Sequence, residues 1–178
     1  MTVRLVELDR AGLRACVDEV LEVYAAAMDV PPASARARRS IITAHLEREG
    51  LRAVVAVDGD RMVGVVYGYQ GGPGQWWHDQ VREALTPEQA QEWLDGAFEV
   101  CELHVRPALH GTGIGRDLLT TLLSGLPCRT AVLTTPDAET RARRFYRHGG
   151  WVDLRRGLRF PGDPRTFAVL GLRLGSGA

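Results

Sequence analysis

Between Phe98 and Leu119 the chain reads FEVCELHVRPALHGTGIGRDLL. An apolar stretch runs through a proline turn and glycines at 111, 113 and 115, then directly into an apolar helical pattern. Glycine has no Cβ, so the backbone can turn tightly there and bring its N–H groups close to a ligand. A helix starting at once behind the glycines adds unsatisfied N–H groups and the positive end of its dipole. Together these make an anion turn, most often one for a phosphate. A strand that feeds a helix this way suits a sheet with helices packed on it.

The rest of the chain agrees. Residues 2–8 alternate as a short strand, and Asp9 can cap a helix carrying Leu13, Val17, Val20, Leu21, Tyr24 and Met28 at helical spacing. Pro31-Pro32 ends it, and a second helix is expected over 33–49 with Gly50 as its C-terminal cap. Arg36, Arg38 and Arg39 read as its solvated face, with a substrate or partner contact as the other reading. Residues 51–57 and 61–69 form a hairpin across Asp58-Gly59-Asp60. Residues 71–97 open with GGPG and contain a helix after Thr86-Pro87. Strands follow at 98–105 and 130–134, with the glycine turn and a helix to about 124 between them. Pro136-Asp137 opens a helix closed by Gly149-Gly150, and 151–160 with 166–174 form a terminal hairpin. The tail, 175–178, is expected to be loose. The succession predicts a mixed sheet with helices on both faces, in the α/β or α+β class, and one domain over 1–178.

Composition removes other classes. Twenty-two basic residues balance 22 acidic ones, so no overall charge points to nucleic acid or an anionic membrane. No apolar run approaches the roughly 20 residues of a membrane helix, and the start lacks a secretory core, so a cytoplasmic protein is expected. Cys16, Cys101 and Cys128 stand far apart in no ligand or redox spacing. His45, His78 and His148 form no ligand set either, and no metal is expected.

Three phosphate sites compete for the glycine turn. A dinucleotide fingerprint needs a third glycine at position 116 or 118, where Arg116 and Leu118 stand, so a dinucleotide oxidoreductase is disfavoured. A Walker loop needs Gly-Lys-Ser/Thr, which is missing. The third is a coenzyme A pyrophosphate cradle. VRPALHGTGIGRDLL resembles the acetyl-CoA motif of the GNAT superfamily of N-acyltransferases, with Gly113 and Gly115 at its two glycine positions. ARRFYRHGGW resembles a second motif of that family, matching at Ala142, Phe145, Tyr146, Gly150 and Trp151. Two motifs in the right order make the resemblance specific. It departs from the pattern at His110 (usually Gln or Arg), Glu139 (often Asn) and Gly149 (usually apolar).

The resemblance implies a mixed, mostly antiparallel central sheet and direct transfer of acetyl from acetyl-CoA to a primary amine within a ternary complex. It assigns acetyl-CoA to Leu103, His104, Val105, His110, Gly111, Thr112, Gly113, Ile114, Gly115, Arg116, Arg144 and Tyr146. Tyr146 would protonate the leaving thiolate, with a core tyrosine as the other reading. Arg143 and Arg147 are further phosphate candidates, unless they simply face solvent. By the two-residue period of a strand, Glu102 and His104 share a face, while Glu99, Cys101, Leu103 and Val105 lie opposite. Glu102 ranks first as the base that deprotonates the amine and His104 second, beside the reading that both merely line a solvated groove. Residues 71–97 carry five acids against one base, with Trp76, Trp77 and Trp93, which suits a cationic or aromatic amine acceptor. Alternatively, those tryptophans pack onto the domain or into a homodimer. A non-catalytic acyl-CoA-binding regulatory module is the competing function.

Overall fold

The computed structural model describes residues 2–175, so most of the expected loose tail, 176–178, lies outside the described residues. Its seven strands form a mixed, mostly antiparallel sheet, the architecture expected above. The chain packs as two compact units, one running up to Tyr69 and resuming at Val100–Ser124, the other made of Gln70–Glu99 and the chain from Gly125 onward. The sequence reading takes 1–178 as a single domain; the division falls inside one strand, between Glu99 and Val100.

In the first unit, β1 (Val3–Leu8) pairs antiparallel with β2 (Arg52–Asp58), and β2 with β3 (Arg61–Gln70). The Gly59-Asp60 turn closes the expected hairpin, with a register shift at Ala56/Val57. β4 (Phe98–Val105), with the bounds expected for it, lies next to β3. One sheet face receives α1 (Arg10–Ala15), α2 (Val17–Met28) and α4 (Arg39–Leu46). There Leu13, Val20, Val23, Ile42 and Leu46 pack on Val55, Val65 and Tyr67. Each fully buried Leu or Val contributes about 1.5–3 kcal/mol before ordering costs. The helix behind the glycine turn, Ile114–Leu123, packs on β2 and sets Leu118 against Gly64.

Both expected early helices are broken. The first divides at Cys16, whose backbone leaves helical geometry. The second divides into α3 (Pro32–Arg36) and α4, with Arg38 N–H bonding the Ala35 carbonyl at 3.0 Å. Gly50, with φ +66°, lies beyond the end of α4 at Leu46, so it serves the turn into β2 and is not a helix cap.

In the second unit, Phe98 and Glu99 pair parallel with β5 (Thr130–Pro136). β5 then pairs antiparallel with β7 (Phe167–Arg173), and β7 with β6 (Val152–Leu158). Two helices occupy 71–97, where sequence suggested one. They are α5 (Trp76–Ala84), tied at its start by the Asp79 carboxylate accepting Gly74 N–H, and α6 (Pro87–Leu94), opened by a Thr86–Gln89 capping box. α7 (Ile114–Leu123) is the helix behind the glycine turn, and α8 is Arg141–His148. α8 starts five residues after Pro136, because Pro136 stays in β5 opposite Phe167 and Thr140 provides the cap. Val81, Leu94, Ala97, Val132 and Val169 form the core. Trp93 lies so close over Gly171 that a Cβ there would stand 2.6 Å from the ring.

Candidate active site

The glycine turn sits in the first unit, between the end of β4 and α7. A 3-10 turn, Pro107–Leu109, leads in, and Thr112 Oγ1 donates to the Leu109 carbonyl at 2.7 Å. Gly111 and Gly113 have φ of +80° and +93°, a region that residues with a Cβ rarely adopt. Gly113 is the N-cap of α7 and provides no side-chain cap, so the first-turn N–H groups at Ile114, Gly115 and Arg116 point out of the helix start uncapped, an arrangement that suits an anion. Ile114 buries its side chain and presents only backbone. Arg116, with its side chain 77% exposed, stands beside Asp117 at 3.5 Å. His110 Nε2 lies 2.8 Å from the Val105 carbonyl. A carbonyl only accepts, so Nε2 donates, and His110 braces the turn against the end of β4. The uncapped backbone of the turn does not depend on it.

Upstream on the same strand, Glu102 and His104 do share a face. His104 Nε2 and Glu102 Oε2 are 2.6 Å apart. The other oxygen of Glu102 accepts from the Arg38 guanidinium, whose carbon lies 4.7 Å from the centre of the Tyr24 ring. Tyr24 meets the His104 ring edge-on, at 5.1 Å and 88°. Behind this group, Tyr67 OH and His45 Nδ1 share a hydrogen bond at 3.1 Å. Cys101, expected opposite Glu102, packs against the core that contains Tyr67. β4 is buried at Phe98–Val100 and half-buried at Cys101–His104, so strict alternation does not hold there.

Electrostatics follow from burial and charge. Burial alone would push the Glu102 carboxyl up; the His104 hydrogen bond and the charges of His104 and Arg38 outweigh it and hold the group below its ordinary value. Burial also drives Tyr67 well above the usual phenol range, with the Glu102 charge adding to it. His45 is pushed down by burial, against the pull of Glu102. Near neutrality the group is therefore an ionised Glu102, a cationic Arg38, a protonated Tyr67 and a neutral His45. Sequence reasoning placed Arg38 on a solvated face, and that is corrected here: its partner lies 64 residues away, and no local pattern signals it.

The second unit holds the remaining predicted residues. Tyr146 is buried on α8, edge-on to Phe145 and to Trp151 at 5.2 and 5.6 Å. Arg144 is exposed and donates to the Glu139 carbonyl at 3.0 Å. Two other phosphate candidates are committed elsewhere. Arg143 is fully buried against Asp153 at 2.7 Å and Asp137 at 3.3 Å, and Arg147 bridges Glu139 and Asp153. The tryptophans pack within their own unit. Trp93 lies between Gly171 and the Arg173 guanidinium, Trp77 donates to Thr134 Oγ1 at 3.2 Å, and Trp76, 57% exposed, rests on Phe160. Among the described residues, no cluster of three or more His, Cys, Asp or Glu is placed to hold a metal, and no helix is long and apolar enough to cross a membrane.

A glycine turn between a strand and a helix N-terminus, on a mixed sheet of this order, has the form of an anion cradle with polar residues beside it. Residues 17–150 match the Acetyltransferase (GNAT) family, and the chain belongs to it. A GCN5-like protein acetyltransferase of Mycobacterium tuberculosis is 33% identical, over 98% of this chain and 99% of its own. Among solved structures, a GNAT-family protein from Desulfovibrio desulfuricans superposes with a TM-score of 0.70 at 18% identity, covering 97% of this chain and 99% of that one. PaiA N-acetyltransferase from Thermoplasma acidophilum, solved in complex with coenzyme A, gives 0.62 at 12% identity over 98% and 100%.

Proposed function

We propose that this GNAT acetyltransferase transfers the acetyl group of acetyl-CoA to a primary amine by direct attack in a ternary complex, with His104 as the base. The observation that carries the reading is the Glu102–His104 pair on the strand that leads into the glycine cradle. The backbone at 111–116 would hold the CoA pyrophosphate, with Arg116 adding charge; the family resemblance assigns Arg144 to acetyl-CoA as well. Leu103 and Val105 would line the path of the pantetheine.

The chemistry requires an amine without its extra proton, a stabilised oxyanion and a protonated leaving thiolate. An ionised Glu102 can only accept, so His104 Nε2 donates to it, and in the neutral form that acts as base the lone pair is on Nδ1. That nitrogen takes the proton as the amine forms its bond to the thioester carbon. Glu102 ranks below it, because both of its oxygens are engaged and its proton affinity is depressed. As the tetrahedral intermediate collapses, the C–S bond breaks and the thiolate takes a proton. The family resemblance assigns that proton to Tyr146.

The acceptor reading draws on the relative's description as a protein acetyltransferase, which favours a peptide amine. The acidic segment 71–97 keeps a cationic small amine as the second candidate. Thiol release from acetyl-CoA, measured over peptides, amino acids, polyamines and aminoglycosides, tests the proposal. Turnover on any class supports it. Tight CoA binding with no turnover on any of them would instead support a non-catalytic acyl-CoA-binding module.

A further inference from the structure

We infer that Arg38 is a positioning residue, resting on the reading just proposed: it holds one oxygen of Glu102 so that the other stays fixed on His104, and His104 keeps its acceptor nitrogen for the amine. Four side chains close a ring of contacts. Arg38 donates to Glu102 Oε1, Glu102 Oε2 accepts from His104, the His104 ring meets the edge of Tyr24, and Tyr24 lies under the Arg38 guanidinium. The break between α3 and α4 puts Arg38 there, since Ala37 ends one helix and Arg38 precedes the other.

A carboxylate held at one oxygen can swing about its own bond. Held at both, it offers the imidazole a fixed acceptor in one direction. The Glu102 side chain is only 10% exposed, a setting in which a lone carboxylate tends to take up a proton. Once protonated, it could no longer oblige His104 to carry its hydrogen on Nε2. The groups that interact with Glu102 are Arg38, His45 from α4, Tyr67 from β3 and His104 from β4 itself. Of these, only Arg38 carries a standing positive charge. A lysine would bring that charge as a single point, without the planar fork or the face that lies on Tyr24.

The test compares R38Q and R38K with the unaltered enzyme. It reads kcat and KM across pH on an accepted amine, together with ¹⁵N NMR of histidine-labelled protein. The expectation for R38Q is a kcat lower by about tenfold or more, part of what a well-placed base contributes, with KM for acetyl-CoA unchanged. Its acid limb should move to higher pH, and His104 should lose its single Nε2–H tautomer. R38K should recover part of each. Wild-type tautomer and acid limb in R38Q would overturn the inference, even if kcat falls. Should R38Q not fold, R38K decides: a shift in limb or tautomer supports the inference, and wild-type values of both overturn it. The tautomer readout needs no turnover. An enzyme that acetylates no amine, yet loses the tautomer on R38Q, would remove the proposed activity and leave the positioning role standing.

Discussion

Each unit pairs an arginine with a carboxylate shielded from solvent, and the two clusters differ in what they leave over. In the second unit Arg143 is wholly enclosed, its charge spread over Asp137, Asp153 and, at 4.0 Å, Glu139. Every titratable member is an ion held by another ion. In the first unit Arg38 and Glu102 form a comparable pair, but Glu102 also holds an imidazole whose second nitrogen remains to be used. A buried ion pair is therefore no mark of a catalytic site by itself. What marks one is a titratable group oriented by the pair without being consumed by it.

The contrast predicts different outcomes for its two central residues. H104A should lower kcat about 10²–10³-fold, and should cost about 1–3 kcal/mol of urea stability, since one oxygen of the nearly buried Glu102 loses its hydrogen bond. R143M takes the buried cation away from Asp137 and Asp153, which keep only the more exposed Arg156 and Arg147, and should cost about 3 kcal/mol in urea unfolding. The figure sits at the low end for buried pairs because Asp153 is 30% exposed. An R143M protein of undiminished stability, or an H104A enzyme of undiminished kcat, breaks the comparison.

The parts of this contrast that sequence reveals are those set locally. β4 was legible to the residue, the hairpin at Asp58-Gly59-Asp60 was legible from its turn, and the pairing of Glu102 with His104 follows from the two-residue period of a strand. The parts it hides depend on distant partners. Arg38 looks like its neighbours Arg36 and Arg39 until Glu102, far along the chain, is brought to it. Arg143 lies in the arginine-rich run RARRFYRH, where charge density argues for solvent, yet Asp153 lies across the turn that follows and encloses it. Trp77 reads equally as a recognition aromatic or a packing one until Thr134 takes its N–H. The helix breaks at Cys16 and Ala37 fall in segments whose apolar spacing continues unchanged, so periodicity had nothing to report.

Acid should take the two clusters apart in order. A group whose folded pKa is depressed stabilises above its ordinary value and loses that contribution as pH falls through the folded one. His45, ordinarily 6.5, is depressed by burial, so its contribution begins to fade below that pH. That of Glu102 fades next, below 4.5, and that of Asp137 last, below 3.8. For Asp137, burial raises the carboxyl, but the Gly157 N–H and the Arg156 and Arg143 charges outweigh it. Urea stability measured from pH 7 to 3 should therefore decline in the first unit before the second. E102Q should flatten the decline only below 4.5; a slope unchanged by it would place the loss elsewhere.

The smallest expected effect concerns the two helix starts on which the proposed site depends. α8 is capped by its own chain, with Thr140 Oγ1 accepting the Arg143 N–H at 3.1 Å. α7 begins at a glycine that supplies no such acceptor. A capped start is complete without a ligand, whereas an uncapped one gains most from an anion. T140A should accordingly cost about 1 kcal/mol of stability, with T140S restoring it, and should leave the Kd for acetyl-CoA as it was. If instead T140A weakened acetyl-CoA binding as strongly as it weakened the fold, the α8 start would share in holding the anion. The division between a helix end that serves the fold and one that serves the ligand would then fail.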